Sequence, residues 1–126
     1  MHLKSDVTAK APCVMVVDDE PDIRELLRVL IERRGYSVRT AANGEEALAL
    51  LRSPLEVGFV LLDMMMPEVD GLAVLASMAA DPELRSVPVC ISTATPLMVP
   101  EGVCCLPKPI DLAKLFALLE EQARSN

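Results

Sequence analysis

Short apolar runs that stop at a polar residue, separated by amphipathic stretches, constrain this chain more than any other feature. Residues 13–17 (CVMVV) end at Asp18, residues 57–62 (VGFVLL) end at Asp63, and residues 87–92 (VPVCIS) run into Thr93. Residues 103–106 (VCCL) lead through Pro107 to Lys108, and residues 36–40 (YSVRT) alternate in the manner of a strand. Strands that are apolar throughout, rather than on alternate positions, are covered on both faces. Strands of this kind alternating with helices predict an α/β protein with a parallel sheet.

The intervening helices carry their own signals. Pro21 suits a first helical turn. Ile23, Leu26, Leu27, Leu30 and Ile31 follow it on one helical stripe, which Gly35 ends. Asn43 and Glu46 predict a capped start for a helix running to about Arg52. Asp70 predicts the cap of a third helix with Leu72, Leu75 and Met78 inward. Asp111 predicts the cap of a last helix with Leu112, Leu115, Phe116 and Leu119 inward. The 126 residues suit one domain, expected over 13–124 behind a polar tail at 1–12. That tail lacks the apolar stretch of a signal peptide, and no apolar run approaches the roughly 18 residues of a membrane span. The expected location is cytoplasmic.

In an open parallel sheet, ligands gather outside the carboxyl ends of the strands. That rule predicts Asp18, Asp19, Asp63, Thr93 and Lys108 in one place, although they are scattered along the chain. Acids so gathered repel one another. Each pair of unit charges at ~4 Å costs about 4 kcal/mol at an effective dielectric near 20. Such a cluster makes sense around a hard cation, and oxygen ligands with open positions suit Mg²⁺. Lys108, held between Pro107 and Pro109, adds a fixed positive charge, and Thr93 adds a hydroxyl donor. Together these are parts for phosphoryl transfer, with Asp63 as the nucleophile and an aspartyl phosphate as the product. Any one of these residues taken alone reads as a cap or a loop residue; five of them at the ends of four strands do not.

Charge and composition narrow the partners. The net charge is −7, and the aromatic residues are one Tyr and two Phe. Neither the basic face nor the stacking rings of a nucleic-acid binder is present. Cys13, Cys90 and the Cys104–Cys105 pair lie in apolar runs and read as buried small hydrophobes in a reducing compartment. The remaining reading is redox chemistry at the exposed member of Cys104–Cys105. Their spacing does not suit a zinc site, and the one His, at position 2, adds no ligand nearby.

With these residues in hand, the chain resembles the receiver domain of two-component response regulators over about residues 13–124. The matching pieces are VVDDE (16–20), LLDMMMPEVDG (61–71), ISTA (91–94) and LPKP (106–109). The resemblance implies a flavodoxin-like fold with strand order 2-1-3-4-5 and phospho-acceptance at Asp63. It implies Mg²⁺ held by Asp18, Asp19, Asp63 and the backbone carbonyl of Met65, with Asp19 the more direct of the first two. Thr93 becomes the switch hydroxyl and Lys108 the phosphate-binding cation, while Pro67 and Gly71 shape the loop after the acceptor. The implied partners are a histidine kinase or phosphotransfer protein, a downstream protein target, and a second copy in a homodimer; direct contact with nucleic acid or membrane is not expected.

The sequence also departs from the family pattern. Only 15 positions separate Thr93 from Lys108, and Pro96 and Pro100 interrupt them. An interior proline costs about 3 kcal/mol, so the helix between the fourth and fifth strands is predicted to be missing or reduced to a turn. Leu97, Met98 and Val99 then either pack over the sheet edge or form a partner-binding patch. Cys105 and Ile110 occupy positions where receivers often carry aromatics, so the usual coupling of Thr to an aromatic ring is not expected. Met65 and Thr95 stand where side chains influence phosphoryl lifetime. Neither is a carboxylate or amide suited to orienting water, which predicts slow self-dephosphorylation. Two other classes compete. A dehalogenase-like phosphatase would need an acid at position 65, where Met stands; a degenerate receiver would act only as an interaction module. The expected class is a phospho-accepting module and not a turnover enzyme.

Overall fold

The computed structural model describes residues 13–125; the tail expected over 1–12 lies outside them. The elements run β1 (Cys13–Val17), α1 (Pro21–Glu32), β2 (Ser37–Ala41), α2 (Gly44–Leu51), β3 (Phe59–Asp63), α3 (Gly71–Ala80), β4 (Val89–Thr93), β5 (Cys104–Pro107) and α4 (Leu112–Ser125). A single 3-10 turn, Pro96–Met98, replaces the helix between β4 and β5. The five strands form one sheet in the order β2-β1-β3-β4-β5, and every pairing is parallel. The fold is flavodoxin-like with one helix reduced to a turn, as the two prolines predict.

Period-two alternation divides the central strands between two cores. Val14, Val16, Phe59, Leu61, Cys90 and Leu106 face Leu27 and Ile31 of α1 and Leu115 and Leu119 of α4. Met15, Val17, Val60, Leu62 and Ile91 face Ala47 and Leu51 of α2 and Val74 and Met78 of α3. A sheet covered on both sides explains why these strands show no polar alternation.

The helix signals hold, with shifts of face. Asn43 accepts from the Glu46 amide at 2.8 Å, and the Glu46 carboxylate returns a bond to the Ala42 amide at 2.8 Å. Asp70 accepts from Ala73, and Asp111 from Ala113 and Lys114. In α1 the predicted stripe divides: Leu27 and Ile31 are buried, whereas Ile23 and Leu26 are exposed. In α3 the buried centre is Val74 and Met78, with Leu72 and Leu75 only half-buried. In α4 Leu115 and Leu119 are buried, but Leu112 is exposed and Phe116 half-buried.

The cysteines are a correction. Cys90 and Cys104 are ladder partners on adjacent strands, with Cα atoms 4.6 Å apart, and their sulfurs are joined in a disulfide. Cys13 is buried as a free thiol, and Cys105 is free and half-buried. Each sulfur was expected to pack alone as a small hydrophobe. Sequence spacing does not show that parallel register puts residues 90 and 104 on one face of the sheet.

Candidate functional site

The strand ends deliver the expected residues, one position further along than the apolar runs suggest. Asp63 and Thr93 are the last residues of β3 and β4, because ladder pairing of Asp63 with Ser92 and Thr93 with Pro107 extends both strands. Asp18 follows β1, and its amide donates to the Ala41 carbonyl at 3.1 Å. Lys108 follows β5, and its amide donates to the Thr93 carbonyl at 2.8 Å. The Lys108–Pro109 peptide is cis.

Asp18, Asp19 and Asp63 each offer a carboxylate oxygen, and these lie within 4.8 Å of one another. Asp18 and Asp63 are buried, while Asp19 is exposed. Lys108 Nζ donates to Asp63 Oδ1 at 3.2 Å and lies 3.6 Å from Asp18 Oδ2. Asp63 Oδ1 also accepts from the Met65 amide at 3.3 Å. Asp18 Oδ1 accepts from the Glu20 amide at 2.9 Å, which leaves Asp19 on the outside of the turn. Two buried carboxylates therefore share one ammonium.

The electrostatics follow from that imbalance. Burial pushes the Asp63 carboxyl above the usual carboxylate range; the charge of Asp18 adds to the rise, and Lys108 offsets part of it. Burial works against the Lys108 ammonium, but Asp63 and Asp18 outweigh it and hold its pKa above the ordinary lysine value. A pocket with surplus negative charge and hard oxygen donors fits a small divalent cation.

Asp63 is fixed from behind as well as in front. The Gly71 amide donates to the Met64 carbonyl at 2.9 Å. A Cβ on Gly71 would lie 2.4 Å from the Asp63 carbonyl oxygen and 2.8 Å from Met64 Cα. The start of α3 therefore rests directly on the backbone of the acid, and only glycine permits that approach.

The five predicted residues do not all converge. Asp18, Asp19, Asp63 and Lys108 come together. Thr93 stands beside them, but its hydroxyl is engaged with Thr95, at 2.9 Å from the Thr95 amide and 3.1 Å from the Thr95 hydroxyl. Met65 is largely exposed, with its amide turned to Asp63. One contributor was not anticipated. Arg24 Nη1 donates to the Asp18 carbonyl at 2.7 Å and braces the acidic turn from the first helix. Its position six residues beyond Asp18, one turn into a helix, is the signal that could have found it. Thr95, expected only to influence phosphoryl lifetime, also holds the Thr93 hydroxyl; a hydroxyl two residues after Thr93 is the ordinary signature of a local side-chain turn.

A family model for the response regulator receiver domain matches residues 14–120. The chain belongs to that family. Among curated relatives, the transcriptional regulatory protein ResD of Bacillus subtilis is 41% identical over 83 residues, spanning 64% of this chain and 32% of that protein. The transcriptional regulatory protein CpxR homolog of Haemophilus influenzae is 34% identical over 120 residues, spanning 90% of this chain and 51% of that protein. This receiver thus spans about a third to a half of the length of these two relatives. Among solved structures, the receiver domain of the hybrid histidine kinase CckA superposes with a TM-score of 0.75 at 32% identity, covering 88% of this chain and 98% of that one. This chain is a response regulator receiver domain, and its strand ends bring Asp18, Asp19, Asp63 and Lys108 together in one acidic pocket.

Proposed function

We propose that this receiver takes a phosphoryl group on Asp63 in a Mg²⁺-dependent reaction and so changes the surface it offers to protein partners. One observation carries the reading: three carboxylates meet within 4.8 Å, and the Lys108 ammonium lies 3.2 Å from Asp63. A carboxylate oxygen of Asp63 attacks phosphorus. The bond from phosphorus to the donor's leaving atom breaks, and the leaving group departs with that electron pair. Lys108 neutralises charge on the transferring group and holds the carboxylate in position. Thr93 is the hydroxyl that donates to a phosphoryl oxygen. Asp18, Asp19, Asp63 and the Met65 carbonyl would hold Mg²⁺, which would supply the positive charge that a dianionic phosphoryl group needs beside three acids.

The donor is a histidine kinase or phosphotransfer protein. An apolar groove of about 490 Å³ supports this reading; Ile23, Leu26, Leu30, Pro109, Ile110 and Leu112 line it, and Lys108 stands at its edge. Leu26 is 55% exposed there, at a position where a helix normally buries its stripe. A donor docked on that surface would bring its phosphoryl group next to Lys108. A downstream protein target reads the β4–β5 face, where Leu97 and Met98 are exposed and Val99 packs on the core; homodimerisation is the other use of that face. The acidic charge favours protein partners over nucleic acid. Among the described residues no helix is long and apolar enough to cross a membrane, and a cytoplasmic location suits the signalling role. The receiver acts as an acceptor and not as a turnover enzyme.

Acetyl phosphate with Mg²⁺, read by intact mass, tests the proposal. The wild type gains one phosphoryl group, and Asp63→Ala and a chelated sample gain none. Absence of the adduct from the wild type, or its persistence in Asp63→Ala, overturns the reading.

A further inference from the structure

We infer that Thr95 is a positioning residue that restrains the Thr93 hydroxyl, setting how readily the site takes up a phosphoryl group. The inference rests on the receiver reading above and concerns the regulation of that same site. Thr93 is 1% exposed. Its Oγ1 accepts the Thr95 amide at 2.9 Å and faces the Thr95 hydroxyl at 3.1 Å. Which of the two hydroxyls donates is decided by satisfaction. If Thr95 donated, the Thr93 proton would be a buried donor with no partner, which costs more than an ordinary hydrogen bond gains. Thr95 is exposed and can give its own proton to water. Thr93 is therefore the donor, and Thr95 Oγ1 is its acceptor.

This arrangement creates a competition. Thr93 ends β4 one residue beyond Ser92, the ladder partner of Asp63. A phosphoryl oxygen on Asp63 needs a donor, and the proton that could serve it is already held by Thr95. Capture of that proton by the phosphoryl group must break the Thr93–Thr95 hydroxyl bond. The Thr95 amide bond to Oγ1 does not compete, because it uses a lone pair rather than the proton. Thr95 thus favours the resting state by one neutral hydrogen bond. Such a bond is worth about 1 kcal/mol, which corresponds to roughly fivefold in affinity at 1.4 kcal/mol per tenfold.

Beryllofluoride with Mg²⁺, titrated calorimetrically against the folded protein, is the probe. Thr95→Val keeps the branched shape and loses the acceptor; it should bind about fivefold more tightly than wild type. Thr95→Ser keeps the hydroxyl and should bind like wild type. The gain from Thr95→Val should vanish in a Thr93→Val background, since a restraint on Thr93 has nothing left to act on. Three results overturn the inference: unchanged or weaker binding by Thr95→Val, equal tightening by Thr95→Ser, or a gain that survives in Thr93→Val. A wild type that fails to bind beryllofluoride would instead remove the receiver reading itself, so the two failures are distinct.

Discussion

Gly71→Ala places one methyl group against the backbone of the acceptor acid. The new Cβ would meet the Asp63 carbonyl oxygen at 2.4 Å and Met64 Cα at 2.8 Å. Reaching even 3.0 Å from that oxygen requires the start of α3 and the end of β3 to separate by 0.6 Å. Both atoms are backbone, so no rotamer change relieves the contact. Overpacking of this kind costs about 1–3 kcal/mol. The gain in helix propensity from Gly to Ala, at most about 1 kcal/mol in a helix interior, offsets only part of it. A net loss of about 2 kcal/mol in a chain of this size lowers Tm by roughly 6–10 °C. The same displacement moves Asp63 relative to Lys108, whose 3.2 Å contact leaves little slack. Phosphorylation should therefore fall further than stability explains. Gly35→Ala is the control: its φ of +95° strains an alanine, but nothing lies within 4 Å of the new Cβ. That variant should lose about 1–2 kcal/mol and keep wild-type acetyl phosphate kinetics. Thermal unfolding by circular dichroism and phosphorylation by intact mass are read on both variants. If Gly71→Ala unfolds and phosphorylates like wild type, α3 does not fix the acceptor as argued.

The raised pKa of Asp63 carries a sign. The unfolded chain loses this proton near the ordinary value of 3.8 and the folded chain loses it later, so stability falls as pH rises through that interval. In divalent-free buffer Asp63→Asn should thus have a higher Tm than wild type at pH 7, with the difference shrinking as pH drops toward 3.8; a lower Tm at pH 7 would contradict the cause assigned. The Cys90–Cys104 link closes a separation of 14 residues, worth about 3 kcal/mol. Thiol titration in denaturant should find two free groups before reduction and four after, with a Tm roughly 10 °C lower in the reduced protein; four thiols without reductant would refute the pairing. With Met65 and Thr95 flanking the site, the aspartyl phosphate should decay slowly, and a half-life of seconds in Mg²⁺ that lengthens when Met65 is shortened would count against that expectation.

The parallel sheet and its acid-bearing edge were legible because both depend on local pattern. An apolar run ending at Asp18 or Asp63 is visible in a few residues, and the strand-end rule then assembles the pocket without any contact information. Pro96 and Pro100 likewise announced the 3-10 turn, since proline acts on its own backbone. What escaped depends on register and rotation. The disulfide needs Cys90 and Cys104 opposite each other on neighbouring strands, which no spacing encodes. The split of the α1 stripe depends on how α4 sits beside α1: Leu26 and Ile23 continue the helical period but face the groove rather than the core. The direction of the Thr93 hydroxyl is a matter of one torsion, set by Thr95, and strand-end logic stops at Cα positions. The order of the strands came from the family resemblance, because apolar runs alone do not choose which neighbours pair.

A crystal structure with Mg²⁺ and beryllofluoride bears most directly on the central claim, that Asp18, Asp19, Asp63 and Lys108 form one phosphoryl-accepting pocket. Density for beryllium bonded to an oxygen of Asp63, with a metal ion between the three acids and the Lys108 ammonium on a fluorine, is the predicted result. Density elsewhere, or an Asp63 side chain turned away from Asp19 and Lys108 with both ligands present, would contradict it.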